Sequence, residues 1–168
     1  MTKLIVIKFH RVCFTLILLF STLGCDQATK IIAQDTLQVL DPIEYLGGFL
    51  RLEYAENRGA FLSLGSELDP SLRFWIFIVG VSAFLLVASI YLFTAKINFK
   101  NMIAISLILG GGIGNLIDRA LYGQVVDFLN VGIGSLRTGI FNVADVAIVA
   151  GVIILFLEAF RSPRARPV

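Results

Sequence analysis

Two aspartates beside long apolar runs are the residues of this sequence best placed to do chemistry. Asp127 lies in Gly123-Gln-Val-Val-Asp127-Phe128 and Asp145 in Phe141-Asn-Val-Ala-Asp145. An ionised carboxylate at membrane depth is costly, so acids there are rare and mark function. Two carboxyl groups close together share one proton, which supplies an acid and a base at neutral pH. The corresponding reaction is aspartyl hydrolysis, with water as the nucleophile. Asn142 suits an N-cap, which puts Asp145 at the third helical position, where the helix dipole favours a carboxylate. Asp127, between Val126 and Phe128, sits where desolvation favours the protonated form. Asp145 is therefore the candidate base and Asp127 the candidate acid. Taken singly, each has a structural alternative, Asp145 as a capping acid and Asp127 as a loop residue paired with an arginine.

Other polar residues cluster in three places. In Gly110-Gly-Gly-Ile-Gly114-Asn115-Leu-Ile-Asp118-Arg119, residues Gly111, Asn115 and Asp118 share one helical face. Gly110 and Gly114 form a GxxxG step that lets helices approach closely. Arg119 has the fork to hold a carboxylate or a lipid phosphate, and Asp118 reads as the partner of a base. Asp26 and Lys30 are spaced for an i, i+4 ion pair, read as solvated or in contact with headgroups. Asn57-Arg-Gly59-Ala-Phe61 reads as a binding loop in which Gly59 allows close backbone approach.

These residues need elements to hold them, and the composition indicates which. Hydrophobic residues make up 57% of the chain and charged residues 15%, too little polar surface for a soluble domain of this size. The expected fold is an all-α polytopic membrane protein with four transmembrane helices, at about 9–32, 74–93, 101–118 and 143–160. A small extracytoplasmic β-rich insertion at about 36–70 separates the first two, and the chain reads as a single membrane domain. Leu50, Leu52 and Tyr54 alternate with Arg51 and Glu53 as in a half-buried strand, with 37–40 as the expected partner. Residues 120–141, broken by glycines, read as a loop with short helical or strand pieces.

Orientation follows from charge. Lys3, Lys8, Arg11, Lys96, Lys100, Arg161, Arg164 and Arg166 all fall on one side of a four-span chain, while ten of the twelve acids fall on the other. The positive-inside rule places both termini in the cytoplasm and the two aspartates at the outer face. Nothing in this balance calls for nucleic acid. Cys13 and Cys25 are ~18 Å apart on one helix and cannot bridge. His10 is the single histidine, so no metal site is expected. Leu23-Gly24-Cys25 after an apolar run looks like a lipoprotein cleavage site, but Thr22 stands where an aliphatic residue is usual. An uncleaved first helix is the preferred reading.

Four blocks together carry a resemblance: Asp26-Gln-x-Thr-Lys30, Asn57-x-Gly59-Ala-Phe, Gly111-Gly-x-Gly-Asn115-x-x-Asp-Arg119 with Val-x-Asp127-Phe, and Phe141-Asn142-x-Ala-Asp145. In this order, on four spans, they resemble the bacterial type II (lipoprotein) signal peptidases over almost the full length. The resemblance implies an intramembrane aspartyl endopeptidase of the cytoplasmic (inner) membrane. It would remove signal peptides from diacylglyceryl-modified prolipoproteins by hydrolysing the bond before the modified cysteine. It implies Asp127 and Asp145 as the catalytic pair, and Asn57, Gly59, Asn115, Arg119 and Asn142 as substrate-binding. Asp26 and Lys30 would have a supporting role. Membrane lipids and peptide antibiotics directed at the family are implied partners, and no cofactor is. Many members read Ala-Ala-Phe-Ser after the loop glycine where this chain has Ala-Phe-Leu-Ser63, which touches the loop's contacts and not the acid pair. Rival readings are a Ser/Lys hydrolase using Ser63 or Ser66 with Lys30, a proton-coupled transporter, and a structural subunit held by its glycine face.

Overall fold

The computed structural model describes residues 2–60 and 63–161, with side chains from residue 9 onward. Phe61, the side chains of Lys3 and Lys8, and Arg164 and Arg166 lie outside the described residues. Among the described residues four helices are long and apolar enough to cross a membrane: α1 (Thr2–Leu37), α2 (Pro70–Thr94), α3 (Phe99–Tyr122) and α4 (Val143–Arg161). The shortest, α4, has 19 residues, about 28 Å of helix and close to a bilayer's hydrocarbon thickness. Phe20, Ile31, Phe84, Val87, Val152 and Phe156 are exposed on α1, α2 and α4. That is the face a helix turns to lipid, where backbone polar groups are already satisfied internally.

The central helix is α3. Met102, Ala104, Ile105, Ser106, Leu109 and the glycines that follow are buried along it. Close packing there depends on glycine. A Cβ on Gly110 would meet Thr22 of α1 at 2.8 Å, and one on Gly112 would meet Leu85 of α2 at 2.6 Å. Asn98 caps the start of α3 by accepting from the Asn101 N–H at 2.7 Å, and Gly123 ends it. The start of α2 has Asp69 as cap and Pro70 at the first position, so that helix begins before the apolar run at 74. Phe74–Gly80 within α2 is π-wound. The first helix passes unbroken through Cys25 and ends at Leu37, with Cys13 and Cys25 both free.

At one end of the bundle sits a four-stranded antiparallel sheet in the order β1 (Ile43–Tyr45), β2 (Leu50–Asn57), β3 (Val125–Ile133), β4 (Leu136–Arg137). The insertion between α1 and α2 supplies β1 and β2, as the sequence indicates. The α3–α4 connection adds the other two strands. The expected pairing of 37–40 with β2 is not formed, because Leu37 still belongs to α1, buried with Ala33 against Phe128. Ile43–Tyr45 pairs instead, across a turn in which Leu46, Gly47 and Gly48 all have positive φ, a conformation two glycines make accessible. Residues 120–141 are more regular than a glycine-broken loop, with β3 running nine residues beside β2.

Candidate active site

The register between β2 and β3 positions the first aspartate. Leu52 faces Leu129, but Ala55 faces Asp127, so three steps on β2 match two on β3. This bulge, a device found beside active sites, brings Asn57 next to the acid. The Asn57 amide donates to Asp127 Oδ2 at 2.9 Å and the Asn142 amide to Oδ1 at 2.6 Å. Asp127 is 2% exposed. Burial pushes its carboxyl from an ordinary 3.8 up to about 6, and the negative charge of Asp145 adds to the shift. Hydrogen bonds from Asn57 and Asn142 and the charge of Lys30 oppose it.

The second aspartate is set by the start of α4. Asn142 Oδ1 accepts the Asp145 N–H at 3.0 Å, and the Asn142 N–H donates back to Asp145 Oδ2 at 3.2 Å. This is a reciprocal capping box with an aspartate in the third position. The Asn115 amide donates to Asp145 Oδ1 at 2.9 Å. Asn142 therefore touches both carboxylates, one through its side chain and one through its backbone. Asp127 is buried and Asp145 half-buried.

Behind the pair lies a second polar layer. Lys30 Nζ meets Asp26 at 2.8 Å, Asp118 at 2.7 Å and Asn115 Oδ1 at 2.8 Å. Acceptor oxygens of three residues thereby surround it, and the residue is 4% exposed. The expected solvated Asp26–Lys30 pair is thus a buried one, because α3 closes over it with Asp118 and Asn115. The other Asp26 oxygen accepts the Ala144 N–H of α4 at 2.9 Å, tying α1 to the helix end that carries Asp145. Asn115 accepts from Lys30 and from Asn142 (3.2 Å) while donating to Asp145. Its amide orientation is fixed by those three contacts.

Arg119 makes no direct ion pair with either aspartate. Its Nη2 donates to the Gly59 carbonyl at 2.6 Å, its Nη1 to the Asn115 carbonyl at 3.2 Å, and its guanidinium sits 5.8 Å from the Phe77 ring centroid. It is a clamp between the 57–60 turn, α3 and the π-wound part of α2. Within that turn the Gly59 N–H donates to Asn57 Oδ1 at 2.9 Å, and the Asn57 amide also donates to the Ala60 carbonyl at 3.0 Å. All nine candidate residues thus fall in one connected region. Gln27, to which its spacing alone gives no role, also belongs here, since its amide donates to Asp118 Oδ1 at 2.9 Å. Its signal in the sequence is its place in the Asp26-Gln-x-Thr-Lys30 block.

The glycine face of α3 sets how near α4 can come. A Cβ on Gly111 would meet the Ala144 carbonyl and, at 3.0 Å, Ile148. Gly111→Ala is expected to push the start of α4 outward and move Asp145 off its partner. Overpacking of this kind costs about 1–3 kcal/mol, and were Asp145 one of the reacting groups, its displacement would cost about 10²-fold in rate. Thermal unfolding and single-turnover cleavage on the same preparation check both.

The signal peptidase (SPase) II family model matches residues 18–161. The lipoprotein signal peptidase of Geobacter metallireducens is 37% identical over 146 residues, covering 85% of this chain and 88% of that protein. That of Staphylococcus haemolyticus is 30% identical over 159 residues, covering 95% and 98%. Among solved structures, a bacterial membrane enzyme determined by the in meso method at 2.3 Å resolution superposes with a TM-score of 0.81 at 28% identity, over 93% of each chain. A second, at 1.9 Å resolution, gives a TM-score of 0.77 over 90% of this chain. The chain belongs to the signal peptidase II family.

Proposed function

We propose that Asp127 and Asp145 are the catalytic pair, acting on the peptide bond before the diacylglyceryl-modified cysteine of a prolipoprotein. As a family member the chain is an aspartic-type intramembrane endopeptidase that processes lipoprotein signal peptides, a multi-pass protein of the bacterial inner membrane. The observation that carries the assignment is Asn142, which hydrogen-bonds both carboxylates and so aligns them on one substrate. Asp145, held at the helix start, takes a proton from water. Asp127, whose carboxyl burial raises to about 6, polarises the scissile carbonyl and protonates the leaving amine. Asn57, Gly59 and Arg119 form the wall that receives the peptide, and peptide antibiotics directed at the family would compete there. Asp26, Lys30 and Asn115 hold the pair from behind. The whole chain acts as one membrane unit, with both termini in the cytoplasm and the pair at the outer face, where a signal peptide's C-terminal end emerges. A Ser/Lys mechanism is disfavoured because Lys30 is bound on all sides by acceptors.

The test is cleavage of one prolipoprotein with and without its diacylglyceryl group. Cutting confined to the lipid-bearing form is expected, and equal rates on both would remove the lipid from the reading. The acid role also fixes a pH dependence. Asp127 must be protonated in the active form, so kcat/KM should fall as pH rises through about 6. The sign is the same for folding. The native carboxyl binds its proton more tightly than the unfolded one at 3.8, so its contribution to stability declines as pH rises from there to about 6. A kcat/KM profile flat from about pH 5 to 8 would contradict the assignment.

A further inference from the structure

A cavity of about 250 Å³ lies at the end of the bundle away from the sheet, between α1 and the turn joining α2 to α3. Val12, Leu92, Phe93 and Met102 give it apolar walls, and Arg11 and Lys96 stand in its lining. Arg11 is half-buried, and one Nη donates to the Ile97 carbonyl at 3.1 Å, which pins the guanidinium to the turn. Among the described residues, neither Arg11 nor Lys96 has a carboxylate within ion-pair distance. The contrast with their neighbours is informative. Lys100 and Arg161, at the same end, both reach Glu158, at 2.9 and 3.5 Å. The local acid is therefore already engaged, and among the described residues the two cations of the cavity have no counter-charge.

A partly desolvated guanidinium needs an anion, and its planar fork matches a phosphate bidentately. The apolar walls beside it suit the glycerol and first acyl carbons of a lipid, and the site lies where the apolar lengths of the helices end. We propose that this cavity binds the phosphodiester of an anionic phospholipid, with Arg11 as the bidentate contact and Lys96 as the second charge. Assigning it to the inner leaflet rests on the orientation proposed above. The binding itself rests on neither that orientation nor the peptidase reaction.

The experiment is native mass spectrometry of the full-length enzyme in detergent, without substrate, doped equally with phosphatidylglycerol and phosphatidylcholine. Preferential retention of one phosphatidylglycerol is expected. Arg11→Gln and Lys96→Gln should each weaken it about five-fold, and the pair about thirty-fold. Lys100→Gln should leave it unchanged. Equal retention of the two lipids by the wild type, or undiminished selectivity in the double variant, would overturn the proposal. Displacement of the lipid by low millimolar inorganic phosphate would also overturn it, by showing a site for free anions. If Arg11→Gln does not fold, wild-type selectivity and Lys96→Gln decide. Because no substrate is present, failure here is separate from failure of the peptidase assignment.

Discussion

Asp127→Asn and Asp145→Asn are each expected to lower single-turnover cleavage of a diacylated prolipoprotein by about 10²–10⁴-fold, the span of one positioned acid or base. The two losses have different origins. At position 145 the amide cannot take a proton from water, and its single carbonyl can accept from Asn115 or from the Asn142 N–H but not from both. At position 127 the amide keeps a carbonyl for one of its two neighbours but turns an NH₂ toward the other, since Asn57 and Asn142 both donate there. The fold should tolerate both changes, because the capping interaction through Asn142 Oδ1 survives and neither variant buries a new charge. Substrate binding, measured by crosslinking of a prolipoprotein, should remain within a few-fold of wild type. Near-normal cleavage by either variant would exclude that residue from the chemistry.

Lys30→Met should have the largest effect on stability. The substitution roughly keeps volume but leaves Asp26 and Asp118 as two buried carboxylates whose common cation is gone. Removing one partner of a buried ion pair costs about 3–5 kcal/mol. Function should suffer as well, because Asn115 Oδ1 loses its lysine donor and keeps only the longer bond from Asn142, so the amide that holds Asp145 is held less firmly. Thermal unfolding in detergent should show a markedly lower midpoint, with cleavage lost even below it. Adding Asp118→Asn to Lys30→Met should recover part of the stability, since it removes one stranded charge. If the double variant is no more stable than the single, the charge imbalance is not the cause.

The contrast between the two halves of the site shows what a sequence makes legible. The Asn142–Asp145 capping box is local, three residues apart, so composition and spacing were enough to place Asp145 at the helix start. The glycine face of α3 was legible for the same reason, since helical spacing alone puts Gly111, Asn115 and Asp118 on one side. Asp127 was different. Its neighbour Asn57 is 70 positions away, and the contact depends on a bulge between Leu52 and Ala55, which no local pattern announces. Residues 120–141 read as a loop with short helical or strand pieces because Gly132 and Gly134 obscure a nine-residue strand whose partner lies in another connection. Lys30 and Asp26 show a further limit. An i, i+4 pair has the same spacing whether solvated or buried, and only the third partner, Asp118 on α3, decides which. The π-wound stretch Phe74–Gly80 lies in an almost continuous apolar run, where an extra residue in a turn leaves no trace in the pattern.

In the proposed mechanism Asp127 and Asp145 work as one unit, aligned through Asn142. Residues that act together lose their effect together, so removing both should cost little more than removing the more important one. The most direct measurement is single-turnover cleavage of a diacylated prolipoprotein by wild type, Asp127→Asn, Asp145→Asn and the double variant, at saturating enzyme. The double variant should fall within a few-fold of the slower single variant. Losses that multiply in the double variant would contradict this mechanism, since they would mean that each carboxyl contributes independently of the other.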